Sequence, residues 1–199
     1  NQIANSGLQD ICVVSNVKYK TTQKNVWKEN LMLNRTVTLS DGSTTDIKIG
    51  VIGETQPVLS SKRTKYSNTL STQKIVDSTR EQAVSLKEAG ADLIVVLAHC
   101  GISQENTSSF YSNDGYLLTK IPEVDVVLCG HSHQYFPSDR AENAKYYELP
   151  GIEKETGLVN GKNMIMVADK GAAIGIADLT ITKKADSSIQ IADRTSTIR

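Results

Sequence analysis

Three histidines carry most of the chemistry open to this 199-residue chain, and it has no others: His99, His131 and His133. His99 ends the apolar run Asp92-Leu93-Ile94-Val95-Val96-Leu97-Ala98. His131 and His133 sit in Gly130-His131-Ser132-His133, directly after the run Val124-Asp125-Val126-Val127-Leu128-Cys129. Neutral imidazole is the commonest protein ligand for zinc, manganese, iron and related ions. A lone histidine at a strand end is most often a surface or hydrogen-bonding residue, and His-x-His alone is a weak motif. All three histidines at the expected carboxyl edge of one sheet is a stronger signal, because ligands of open α/β sheets bind there. It points to a metal or catalytic role. In an extended segment residues two apart point the same way. A tight loop after Gly130, where glycine lets the chain turn sharply, splays them instead. The pair can therefore serve one ion or two adjacent ions.

Other candidate chemistry is thinner. Cys100 follows His99, but adjacent side chains on a strand face opposite ways, which argues against a Cys–His nucleophile. Cys12 and Cys129 lie in apolar runs where a free thiol packs as a small hydrophobe. The three cysteines match no C-x-x-C spacing, and an odd number argues against a disulfide framework. Gly171-Ala172-Ala173-Ile174-Gly175 lacks phosphate-loop spacing and reads as close packing of strands. The sequons Asn34-Arg35-Thr36 and Asn106-Thr107-Ser108 are short enough to arise by chance.

The elements that must position the histidines read as follows. Residues 1–7 look like the tail of a helix ending at Gly7, and Leu8 to Val17 like a buried strand. An alternating strand over 34–40 meets the hairpin signal Asp41-Gly42, with a return strand over 46–53. Leu59 to Thr72 is a polar surface excursion. Apolar spacing predicts a helix from Thr72 to Ala89, capped by Gly90. A strand over 92–98, a helix over 111–120 and a strand over 124–129 follow. Strand–helix–strand–helix–strand implies parallel strands with crossover helices, and the continuous apolar runs fit strands covered on both faces. Ser138 to Asn143 reads as a loop. Strands are expected over 164–168 and 172–181, with an alternating edge strand over 188–192.

Length fits one domain. Lys plus Arg equals Asp plus Glu at 22 each, so no strong field points to a nucleic-acid polymer or an anionic membrane. No apolar run approaches the ~18 residues of a membrane span. The first residues carry no signal-peptide pattern.

Four stretches together resemble the calcineurin-like metallophosphoesterases, and within them the 5′-nucleotidase and 2′,3′-cyclic-nucleotide 2′-phosphodiesterase/3′-nucleotidase group. Ile47 to Gly53 with Pro57 is similar to the family strand and turn that follow its insertion. Gly90-Ala91-Asp92 through Ala98-His99-Cys100-Gly101 is similar to its "GAD-hydrophobic-AH-x-G" element. Val124 to His133 is similar to its "VD-hydrophobic-GHxH" element. Gly157-Leu158-Val159-Asn160-Gly161 through Gly171 and Gly175 to Leu179 is similar to its closing region. The short connection after His99, with Phe136-Pro137 and Pro150-Gly151-Ile152, resembles the cyclic-nucleotide branch more closely.

The resemblance implies part of a four-layer α/β/β/α sandwich with mixed sheets. It implies two divalent ions, zinc, manganese or similar, with His99 and His131 matching ligands of the second metal and His133 a ligand of the first. The earlier family elements, Asp-x-His, Gly-Asp and Asn-His, are absent, and with them the catalytic histidine. No catalytic residue is therefore expected within this chain. Lys170 and Ala173 stand where the family has Trp or Tyr and His. The expectation is that residues 1–199 are the C-terminal portion of one metallophosphoesterase domain, without the N-terminal ligand half or the C-terminal nucleotide-binding domain. The implied parent is a periplasmic, secreted or cell-surface enzyme that hydrolyses nucleotides or other phosphate esters with metal-activated water. The chain by itself is expected to be inactive and prone to self-association. The alternative is a non-catalytic metal-binding or interaction module on the same fold.

Overall fold

The computed structural model describes residues 6–57, 64–103 and 113–199. It opens with a short 3-10 turn at Leu8–Asp10 and the brief strand β1 (Val17–Tyr19). The hairpin β2 (Asn30–Thr38) and β3 (Thr44–Glu54) follows, then β4 (Leu70–Thr72) and α1 (Ile75–Glu88). Next come β5 (Leu93–Ala98), the single turn α2 (Gly115–Leu118), β6 (Val126–Cys129) and β7 (Tyr135–Phe136). A 3-10 segment, Ala141–Glu148, leads to β8 (Ile152–Glu153), β9 (Leu158–Val159) and β10 (Lys162–Val167). The hairpin β11 (Gly175–Lys183) and β12 (Ile189–Ile198) closes the chain.

The main sheet has the order β2-β3-β5-β6-β10-β9-β8, with β7 pairing β10. β3, β5, β6 and β10 run parallel to one another, while the β2, β7 and β9 pairings are antiparallel. The mixed α/β class and the parallel strand–helix–strand centre are as the sequence pattern predicts. α1 is amphipathic, and its Ile75, Ala83 and Leu86 are buried with Ile52, Ile94, Val96 and Val127 from the sheet and Tyr116 and Leu118 from α2. Its cap is Ala89 followed by Gly90 in the left-handed conformation.

On the opposite face the β11–β12 hairpin packs against β10. The approach is close enough that a methyl group at Gly175 would lie 2.3 Å from Ile165 Cγ2, which is the packing role expected of that glycine. Gly171 instead adopts a positive φ of 66° with nothing near it, so it serves a turn.

Several expected boundaries are corrected. Leu8 to Val17 is not one strand. It forms a 3-10 turn and a single bridge at Val13, and only Val17 lies in β1. Asn16, buried within the stretch, bonds the carbonyls of Thr55 and Gln73 rather than a ladder partner. The expected loop at Ser138 to Asn143 runs into the 3-10 segment, stapled by Tyr147, whose hydroxyl accepts the Ser138 N–H at 2.8 Å. The last strand is twice as long as expected, because β12 pairs along β11 from Ile189 to Ile198. Residues 1–5, with the expected helix tail, lie outside the described residues. So do residues 58–63 of the polar excursion, and residues 104–112 with Asn106 and the start of the expected second helix.

The sheet face away from α1 has a physical consequence. Leu31, Leu33, Ile49, Val51, Val95 and Leu97 line one open depression on β2, β3 and β5, and Leu97 is 45% exposed. A contiguous apolar sheet face of this kind favours association. In sedimentation runs the chain is expected to show an average mass that rises with concentration. A single 21.7 kDa species at all concentrations would contradict this.

Candidate functional site

Because β5 and β6 are parallel neighbours with Leu97 opposite Leu128, their carboxyl ends deliver His99 and His131 to one patch. The two rings meet edge to face, with centroids 5.4 Å apart at 73°. Backbone bonds hold the two strand exits together: Gly130 N–H donates to Cys100 O at 3.0 Å, and His99 N–H donates to Glu54 O at 2.9 Å on β3. Cys100 points the other way and is fully buried, its thiol hydrogen-bonded to Cys129. That contact, with burial, pushes the Cys100 pKa well up, as befits an inert structural thiol.

His133 leaves the ring pair and turns to Asp169, with Nδ1 3.7 Å from Oδ2. The reason is backbone geometry. His131 and His133 both take positive φ, 66° and 53°, and Gly130 does not. The turn expected of the glycine is therefore made by the histidines, and their rings splay. The facing segment behaves likewise, with Ala168 at 55° and Lys170 at 59°. Left-handed non-glycine residues are costly, and their clustering is characteristic of functional sites. Ser132 N–H to Gly130 O at 2.7 Å and Ser132 Oγ to Met166 Sδ at 3.1 Å fasten the His turn. Ala168 N–H to Gln134 O at 2.9 Å ties the two segments together.

Asp169 was not anticipated from the sequence. The signal was an acidic residue directly after an apolar run, just past the end of the strand β10 that proves to neighbour β6. Lys170 stands beside it, Nζ 3.5 Å from the same oxygen.

The pKa of His131 is held below its ordinary value, first by burial and then by the charges of His99 and His133. Neutral imidazole is the form that binds metal. Two adjacent imidazoles on a floor of parallel strand ends suit one side of a transition-ion shell. Among the described residues, no group of three or more His, Cys, Asp or Glu converges to hold an ion without further donors.

Behind the patch, Glu54 ends β3 with only 4% of its surface exposed. Its Oε1 accepts from Thr79 Oγ1 at 3.2 Å, and among the described residues no hydrogen bond of good geometry reaches Oε2. Burial, offset in part by hydrogen bonds from Ser78 and Thr79, raises its pKa well above 4.5. Between pH 4.5 and that raised value the native state holds a proton the unfolded chain has released, so stability falls as pH rises through the window. Glu54→Gln removes the ionisation. It is expected to stabilise the fold at pH 8 by about 1–3 kcal/mol, the scale of an unsatisfied buried polar group. The gain should vanish near pH 4, and urea melts at the two pH values read the difference.

The calcineurin-like phosphoesterase family matches residues 14–135, and the chain belongs to that family. The "Trifunctional nucleotide phosphoesterase protein YfkN" of Bacillus subtilis is 31% identical over 93% of this chain, which corresponds to 12% of that protein. The 2',3'-cyclic-nucleotide 2'-phosphodiesterase/3'-nucleotidase of Salmonella typhimurium is 29% identical over 85% of this chain and 26% of its own length. The chain thus spans about a quarter or less of these relatives. The crystal structure of calcineurin-like phosphoesterase YfkN superposes with a TM-score of 0.83 at 30% identity, over 94% of this chain and 54% of that one. The 5'-nucleotidase precursor of Thermus thermophilus, at 20% identity and a TM-score of 0.56, shares the fold over 94% of this chain and 32% of its own.

Proposed function

We propose that the chain is the C-terminal portion of a nucleotide-hydrolysing metallophosphoesterase domain, and that His99, His131 and His133 are the imidazole side of its divalent-metal site. The observation that carries this is the His99–His131 ring pair at the carboxyl ends of adjacent parallel strands, in a chain of this family. A pair of divalent ions, when bound, supplies Lewis acidity toward the phosphoryl oxygens and a hydroxide nucleophile at neutral pH. The chain's own part is positional. His99 and His131 offer imidazole nitrogen donors from adjacent strand ends. His133, which faces Asp169 at 3.7 Å, offers a third from the left-handed turn. The substrate class, a cyclic or linear nucleotide, is supported by the names of the relatives. A periplasmic, secreted or cell-surface location follows from the family resemblance; among the described residues no helix is long and apolar enough to cross a membrane.

A second reading, a metal-binding or interaction module without turnover, is favoured by the lack of a converging three-donor group among the described residues. Manganese- or zinc-dependent hydrolysis of bis-p-nitrophenyl phosphate separates the two. Activity is expected in a protein that carries this chain together with the remaining ligand elements, and none in the 199 residues alone. Activity of the chain alone would refute the partial-domain reading, and an inactive longer protein would refute the enzyme reading.

A further inference from the structure

The 3-10 segment Ala141–Glu148 returns the chain to the histidine turn. Side chains three apart eclipse in a 3-10 helix. Asn143 and Tyr146 are the buried residues of this one, and Leu149, three further on, packs against the core. That stripe carries Tyr146 inward, where only 4% of its surface is exposed. Its ring meets Phe136 of β7 edge to face, with centroids 5.9 Å apart at 90°. A phenylalanine would pack the same way. What the tyrosine adds is a buried hydroxyl, and a buried hydroxyl needs partners.

Those partners flank His133. The Tyr146 hydroxyl donates to Gln134 Oε1. It is also hydrogen-bonded to Ser132, a contact that offsets part of the rise in its pKa caused by burial. Ser132 and Gln134 are the chain neighbours of His133 on either side. The turn between them is the costly one, with His131 at φ 66° and His133 at φ 53°. Non-glycine residues keep such angles only where the surroundings over-determine them. One hydroxyl from a separate element thus braces the turn both before and after His133.

We propose that Tyr146 is a positioning residue for the histidine patch: its hydroxyl, anchored to Ser132 and Gln134, holds the left-handed turn that presents the rings of His131 and His133. Ligands held in place beforehand are not ordered at the expense of binding. Tyr146 acts through the turn and not as a metal ligand itself. The inference rests on the functional reading above for its effect on metal affinity, and not for the bracing.

The test compares Tyr146→Phe with Tyr147→Phe in the 199-residue chain. Both keep a ring against Phe136, and the Tyr147 hydroxyl bonds Ser138, outside the turn. The first readout is the carbon–proton correlation spectrum of the imidazole rings without metal. Tyr146→Phe is expected to shift the His131 and His133 signals, and Tyr147→Phe to leave them. The second readout is zinc affinity by equilibrium dialysis. Tyr146→Phe is expected to weaken it about tenfold, the low end for groups that hold metal ligands in place, and Tyr147→Phe to leave it unchanged. Gln134→Ala breaks the same bond from a half-buried residue. It is expected to match Tyr146→Phe, and the double variant to be no weaker than either. Unshifted His131 and His133 signals in Tyr146→Phe overturn the proposal, as do equal effects from Tyr147→Phe. Undiminished zinc binding by Tyr146→Phe does so too. Shifted signals in a chain that binds no zinc would uphold the bracing while refuting the ligand assignment.

Discussion

Replacing His131 with alanine is expected to lower the affinity of the chain for manganese or zinc by about 100-fold or more. Losing an outer-shell partner typically costs about 10–100-fold, and a direct donor costs at least that much. His131 is the hinge of the patch. Its ring is the one in edge contact with His99, and its pKa responds to both other histidines. His99→Ala should match it. His133→Ala should cost less, about tenfold, because its ring faces Asp169 and not the pair. Asp169→Ala should cost no more than His133→Ala, since Asp169 faces that ring at 3.7 Å without a hydrogen bond to it. Equilibrium dialysis with metal analysis reads all four variants. His131→Asn is the conformational control, because asparagine tolerates the left-handed backbone that His131 occupies at φ 66°. Metal content unchanged across the three histidine variants would refute the ligand assignment.

Asp125→Ala is expected to cost about 3–5 kcal/mol of folding free energy, the scale of breaking a buried ion pair from one side. For a chain of this size that corresponds to a fall in Tm of roughly 10 °C. Asp125 belongs to the run that leads into the His pair, yet it lies at the opposite, amino-terminal end of β6. There its Oδ2 accepts Ile94 N–H at 2.9 Å and faces Lys87 Nζ at 3.7 Å. Its Oδ1 faces Arg194 Nη2, also at 3.7 Å, and Arg194 Nη1 donates to Asp125 O at 3.1 Å. One carboxylate thus joins β5, α1 and β12. Its side chain is 13% exposed and that of Arg194 16%, so removal strands a nearly buried guanidinium and an amide. Asp125→Asn keeps an acceptor for Ile94 and should cost less. Urea denaturation provides the measurement. A change within about 0.5 kcal/mol, typical of surface substitutions, would show that the network contributes nothing.

Asp92 and Asp125 illustrate what a motif says and what it leaves open. Both belong to stretches that mark the family, and both lie far from the chemistry. Asp92 accepts Lys48 N–H at 2.7 Å at the start of β5. They close the amino ends of the parallel strands, while His99 and His131 occupy the carboxyl ends. Pattern reading places all four in the right elements because apolar runs, Gly90 and the Asp41-Gly42 turn are local signals. It cannot say which end of a strand an aspartate serves.

By itself the sequence determined the parallel centre of the sheet, the amphipathic α1 and the placing of His99 and His131 at strand ends, while the β5–β6 pairing that brings those two ends together belongs to the tertiary structure. The first three rest on local periodicity and on residues close in the chain. The tertiary structure alone decided that Asp169 faces His133 and that His131 and His133 take the strained turn expected of Gly130. It also decided that Glu54 is buried. Each of these depends on segments brought together by the β7–β10 pairing or the packing of α1 on the sheet, and on backbone angles for which His and Lys carry no local signal.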